Sequence, residues 1–204
     1  MKFTHFLPLA CVLVVTSCAH NKTNTSSSFS TGTVSMETKP AVVAAPPVAA
    51  KPAAAIPASQ PAIAGAHRVG ETFPVSAGTI SAPFVLTNGY IAQPEQLDIQ
   101  TGGKAIYSFN VTEAGKYIVK GVVNAASDTE NSFYVNIDAQ PEEDMAIWGV
   151  ELTTDFEERT VSWRGDDETV PKVFTLAPGG HKLIIIGREG NTQLKSLSIV
   201  PAPK

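Results

Sequence analysis

The chain has 204 residues and a formal net charge of −4; beyond an expected leader and a low-complexity tract it holds one ordinary domain's worth of folding sequence, which argues against a multidomain enzyme. Residues 1–70 carry five basic and one acidic side chain, residues 71–204 ten and eighteen. The C-terminal part therefore lacks the basic stripe that neutralising phosphates requires, and nucleic acid is excluded as a partner.

Lys2 supplies a positive n-region, and Phe6 to Val15 form an apolar run that is too short to span a bilayer and has the length of a secretory h-region. Val15-Thr16-Ser17-Cys18 then looks like a bacterial lipobox. This predicts a signal peptide over residues 1–17 and lipidation of Cys18, whose thiol takes a diacylglycerol as a thioether. No cysteine follows Cys18, so a disulfide is not the alternative; the alternative is an ordinary cleavage near Ser17 or Ala19. Several acyl chains make a lasting anchor where one is marginal. The expected location is the bacterial cell envelope, and Ala19 in the second mature position resembles outer-membrane rather than inner-membrane sorting.

Residues 18–70 read as a tether. A Ser/Thr/Asn run passes into an Ala/Pro tract in which eleven of residues 40–64 are Ala and six are Pro. The prolines interrupt each possible second helical turn and push their predecessors toward extended backbone.

From residue 71 to about 201 the texture changes to short alternating runs between turn residues. Tyr107, Phe109 and Val111 alternate with polar residues in 105–112; Glu113-Ala114-Gly115 turns the chain into 117–123. Further strands are expected at Ser132–Ile137, 146–150, 160–163, 172–176, 182–186 and 194–200, with Gly179-Gly180 as a tight connection. No window of eleven residues keeps a 3.6-residue period free of Pro or Gly. The expectation is an all-β jelly-roll sandwich of two antiparallel sheets.

Three stretches resemble the jelly-roll carbohydrate-binding modules of the galactose-binding-like superfamily, of the family six and family thirty-five type. They are Ala105 to Tyr117, Asn131 to Asp138, and Phe174 to Leu183 running on into Gly187-Arg188-Glu189-Gly190-Asn191-Thr192-Gln193-Leu194. The resemblance implies sugar bound by aromatic faces and polar loop groups, and a structural calcium held near the first and last strands. The chain departs from the calcium pattern. Pro74-Val75-Ser76 stand where the family has Glu-x-Glu, and Lys195 where it has Asp, and an ammonium opposes a site built of carboxylates. No metal and no cofactor are expected.

Sugar rings present an apolar C–H face that exposed aromatic rings can cover. The two tryptophans, Trp148 and Trp163, adjoin acidic stretches expected to be loops. Trp163 shares a period-2 face with Val161, which favours the core, and Trp148 stays open between rim and core. Asn131 and Arg188 fall where the resemblance places edge loops, as ligand contacts or as turn formers and ion-pair partners. Tyr134 is expected to face solvent or the second sheet. His181 has no Cys or His partner in the domain for a metal pair. No nucleophile elbow, phosphate loop or His-Glu-x-x-His occurs, so a non-enzymatic protein is expected. Two functions follow: a lipid-anchored module that binds an envelope glycan, or a structural or assembly lipoprotein that uses the sandwich to bind protein.

Overall fold

Alternation of apolar and polar residues becomes two stacked sheets in the computed structural model, which describes residues 58–167 and 169–204. The expected leader, Cys18 and the expected tether up to residue 57 lie outside the described residues. Thirteen strands occur among the described residues: β1 His67–Arg68, β2 Thr72–Pro74, β3 Thr79–Ser81, β4 Val85–Thr87, β5 Tyr90–Ala92, β6 Lys104–Val111, β7 Gly115–Asn124, β8 Ser132–Ile137, β9 Ile147–Gly149, β10 Glu157–Thr160, β11 Phe174–Leu176, β12 Gly179–Gly187 and β13 Gln193–Pro201. One sheet runs β1-β6-β12-β8-β9, with β3 also on β6. The other runs β10-β7-β13-β5-β4, with β11 also on β7 and β2 also on β13. Pairing is antiparallel throughout, except that β1 lies parallel to β6.

The core lies between the layers and takes alternate residues from each. Tyr107, Phe109 and Val111 of β6, Phe133 and Val135 of β8, and Leu183 and Ile185 of β12 meet Val119 and Val123 of β7, Ile91 of β5, and Leu194, Leu197 and Ile199 of β13. Leu194 and Leu197 are three apart yet both face inward because the ladder slips between Leu194 and Ser196. That bulge leaves Lys195 unpaired and resets the alternation. A second cluster, Ile99, Tyr134, Ile147, Ile184 and Ile186, covers the outside of the first sheet, so Tyr134 faces neither solvent nor the second sheet.

Three expectations are corrected. The strand expected at 160–163 ends at Thr160, and beyond it Ser162 keeps only a single bridge to Pro171; Val161 and Trp163 pack inward from irregular backbone, so their period-2 spacing reflects burial without a ladder. Gly179 and Gly180 are ladder residues of β12 opposite Val111 and Asn110, not a connection. They are glycines because chain 60–63 lies where their side chains would be: a Cβ on Gly180 would come within 2.8 Å of the Pro61 carbonyl oxygen. Finally, the chain is bonded to the sandwich some ten residues before residue 71. Gln60 donates to the Pro178 carbonyl (3.0 Å), and the Asn110 amide both accepts from Ile63 N–H (2.8 Å) and donates to its carbonyl (2.7 Å).

Candidate functional site

Trp148 is a core side chain, only 1 % exposed, and offers no face to a sugar. Its room comes from the opposite sheet, where Gly121 presents no side chain; a Cβ there would stand 2.8 Å from the Trp148 Cη2. Phe133 packs beside it with ring centroids 6.0 Å apart. Trp163 is half-buried, donates its indole N–H to the Val135 carbonyl (2.9 Å) and meets Phe174 edge-on at 5.9 Å. The Lys172 ammonium stands 3.6 Å above its ring and is itself held by Asp166 at 2.8 Å. The face that a sugar would need is occupied.

Asn131 and Arg188 do come together, around a buried carboxylate. The Asn131 backbone N–H donates to Glu189 Oε2 (2.8 Å), while Arg188 Nη1 pairs with Glu189 Oε1 and donates to Ser132 Oγ (2.8 Å). Glu189 is 7 % exposed, so its charge is compensated by one guanidinium and one amide, as a buried carboxylate requires. Gln93, 2 % exposed, ties the next loop to this clamp: its Nε2 donates to the Glu95 and Arg188 carbonyls (3.0 and 3.2 Å) and its Oε1 accepts from Gly103 N–H (3.0 Å). These groups brace the β5–β6, β7–β8 and β12–β13 loops against each other. Asn131 and Arg188 are thus positioning groups for one end of the sandwich.

What they position was not among the residues singled out from sequence. On the outer face of the second sheet at this end, Tyr90 and Phe156 lean together, ring centroids 5.6 Å apart and planes at 44°, and both are half-buried. Ile91, Leu194 and Val123 stand in register and point inward, so Tyr90, Gln193 and Asn124, one residue along, point out. Phe156 precedes Glu157, the partner of Val123, and shares that outer face. The Lys195 ammonium, freed by the bulge, stands 5.1 Å from the Phe156 ring. Asn124 Nδ2 donates to Gln193 Oε1 (3.4 Å), and Asn191 Nδ2 to Glu130 Oε1 (2.9 Å). A shallow hollow of about 250 Å³ between Tyr90, Gln193, Asn191 and Val85 opens beside the rings. The arrangement is an aromatic pair bordered by three amides.

A hairpin aims Tyr90. Asn88 and Gly89 both have positive φ (47° and 79°), as a two-residue type I′ turn demands, and join β4 to β5 with Thr87 opposite Tyr90. Asn-Gly between Val85-Leu86-Thr87 and Tyr90-Ile91-Ala92 is the signal that could have located this element. For Phe156, set between Asp155 and Glu157, no comparable sequence signal exists.

No protein-family model matches the chain, and no curated protein matches it. Sixty-four solved chains are similar in fold. They include a family 35 carbohydrate-binding module from Clostridium thermocellum (10 % identity, 65 % of this chain and 98 % of that one, TM-score 0.48). Two others are CsCBM6-3 from Clostridium stercorarium in complex with cellobiose (12 %, 69 % and 100 %, 0.46) and the mannan binding module from Man5C (17 %, 65 % and 99 %, 0.45). These modules are of the type that the sequence resembles.

Proposed function

We propose that the chain is a lipid-anchored envelope protein, acylated at Cys18, whose sandwich binds a neutral glycan without acting on it. The observation that carries this reading is the Tyr90–Phe156 pair standing half-buried on a sheet face beside Asn124, Gln193 and Asn191. Aromatic faces suit the C–H side of a sugar ring, and amides both donate to and accept from hydroxyls. A braced but open platform fits an extended chain better than an enclosed small molecule, and the expected affinity is weak, with Kd on the order of 0.1–1 mM. Support for a non-catalytic role comes from the acidic groups around the platform, each of which is engaged: Glu157 pairs with Arg159 (2.9 Å), Glu158 pairs with Lys120 (2.7 Å), Glu130 accepts from Asn191 Nδ2 (2.9 Å) and Asp155 accepts from the Phe156 N–H (2.7 Å).

Affinity electrophoresis in gels containing mannan, xylan or soluble β-glucan tests the reading. Tyr90→Ala and Phe156→Ala should each abolish the retardation that the parent shows, and Trp163→Ala should not do so selectively. Retardation unchanged in both platform variants, or absent for the parent on every polysaccharide, would refute it. The anchor is tested separately: Cys18→Ser should move the protein from the membrane to the soluble fraction.

One observation favours a protein partner instead. Val85 and Leu86 are 58 % and 46 % exposed on β4, which ends its sheet, and exposed apolar edges are sites of strand addition. Loss of an envelope partner from a pull-down in Leu86→Lys, with polysaccharide retention intact, would support that reading.

A further inference from the structure

Native sheet edges are guarded by charge, by proline or by a bulge, because their outward N–H and C=O groups otherwise recruit another strand. β4 ends its sheet and carries none of these guards on Val85, Leu86 and Thr87, all of which are exposed. The want of charge extends well beyond the strand, since residues 72–94 contain no Asp, Glu, Lys, Arg or His. Hairpin geometry decides which backbone groups face outward. Across a two-residue turn the flanking pair, here Thr87 and Tyr90, exchanges hydrogen bonds, and the next pair does not. Leu86, opposite Ile91, therefore turns its N–H and C=O away from β5. Its side chain points to the same side as that of Ile91, yet it stays 46 % exposed where Ile91 is 0 % exposed. An outward backbone pair and a half-covered leucine thus meet at one position.

Three features select a second copy of this chain as the strand that fills the edge. An edge without charge cannot recognise a partner by its charge; that leaves main-chain bonds and apolar contact, and both are self-complementary. The rest of the domain is acidic, with ten basic against eighteen acidic side chains over residues 71–204, so two copies repel each other except where an uncharged rim meets its like. Antiparallel pairing about a two-fold axis, the commonest symmetry of soluble oligomers, sets Leu86 opposite its own counterpart. The two outward backbone pairs then bond each other, and the two leucines cover each other.

We propose that two copies pair antiparallel through β4, centred on Leu86, and join their second sheets into one. Val85 and Thr87 share the outer face with Tyr90 and line the hollow beside it, so the joined sheet carries both aromatic pairs on one continuous face. Three strand spacings and a two-residue stagger set the two Tyr90 Cα atoms about 16 Å apart, within reach of one extended glycan chain. That use rests on the glycan reading; the pairing does not. A strand of three residues buries less than a standard interface. The pairing is accordingly weak, with Kd on the order of 0.1–1 mM, and serves to place two weak platforms on one polymer.

Amide spectra of the ¹⁵N-labelled full chain, recorded without sugar from about 0.02 to 1 mM, test the pairing. The Leu86 and Val85 resonances should shift with concentration while those of β10, at the other edge of the sheet, stay still, and sedimentation equilibrium should show the matching rise in mass. Leu86→Lys, which sets two ammonium groups against each other across the two-fold axis, should remove both effects, and Tyr90→Ala should keep them. On glycan, Leu86→Lys should lose about tenfold in retention by a polymer and nothing toward an oligosaccharide too short to span both platforms. If the parent binds no glycan, the bivalent use falls and the concentration series alone decides the pairing. A parent that stays monomeric throughout the series, association that Leu86→Lys leaves unchanged, or an envelope protein that shifts Leu86 where added parent does not, overturns the proposal.

Discussion

Replacing Gly121 by alanine sets two effects of opposite sign against each other. Gly121 has negative φ in the middle of β7, where exchanging Gly for Ala restricts the unfolded chain and by itself stabilises by about 0.5–1 kcal/mol. Here the new methyl would stand 2.8 Å from Trp148 Cη2, 3.0 Å from Leu194 Cδ1 and 3.4 Å from Trp148 Cζ3. Neither neighbour gives way easily, because Trp148 is held by Phe133 and Leu194 is fully buried. Overpacking of this kind costs about 1–3 kcal/mol. The net expectation is a loss of roughly 1–2 kcal/mol, or about 3–8 °C in Tm for a domain of this size. Urea unfolding followed by tryptophan emission, with thermal unfolding followed by circular dichroism, measures it. Gly115→Ala is the control, since its nearest neighbour would be Tyr117 Cε2 at an ordinary 3.4 Å, and it should leave stability unchanged or slightly raised. A Gly121→Ala protein at least as stable as the parent would mean that Trp148 does not lie against β7.

Three other perturbations test separate parts of the fold. His181, 2 % exposed, has one ring nitrogen on Asp138 Oδ2 (2.6 Å) and the other on the Ala177 carbonyl (2.9 Å); His181→Leu leaves both acceptors without that donor and should lower unfolding free energy by about 2 kcal/mol, which an unchanged urea midpoint would disprove. Burial pushes the phenol of Tyr107, which donates to the Val75 carbonyl at 3.1 Å, above the usual tyrosine range, and burial also raises Tyr117 and Tyr134. The unfolded chain then loses these protons first, so stability is fully present below about pH 10 and falls as pH rises beyond it; urea midpoints from pH 8 to 11.5 should show the fall, with a shallower slope in Tyr107→Phe. Gly180→Ala places a methyl against Ile63 and Pro61 and should release chain 60–63 locally, seen as faster amide exchange at Ile63 with the rest of the domain protected as before.

The long strands were legible because alternation is the direct imprint of a sheet with one buried face. β6, β7, β8, β12 and β13 each pair over five or more residues, long enough for the pattern to stand out. The region from His67 to Ala92 carries five strands of two or three residues, too short for a period to show, and only the Asn88-Gly89 turn marks it. At 160–163 the pattern misled, because Val161 and Trp163 are packed against the core from a segment with one bridge rather than a ladder. Alternation reports which side chains are buried, and a strand is only the commonest way of burying them.

The proposed binding residues were harder to find for a reason that composition cannot overcome. Trp148 and Trp163 are the only tryptophans in the chain, and residue type made them the natural platform. Whether an aromatic ring is exposed depends on what stands opposite it, which is a property of sheet pairing: Gly121 draws Trp148 inward, and the Val135 carbonyl with Lys172 covers Trp163. Tyr90 and Phe156 belong to β5 and to the residue before β10, and they meet across β7 and β13, which lie between those strands and carry a bulge at Lys195. Remove the bulge, and the alternation of β13 from Ser196 onward would be reversed, burying Ser196 and Ser198 in place of Leu197 and Ile199. The slip that keeps these apolar residues in the core is thus the same one that frees Lys195 to stand over Phe156, so the platform is a consequence of how the core closes.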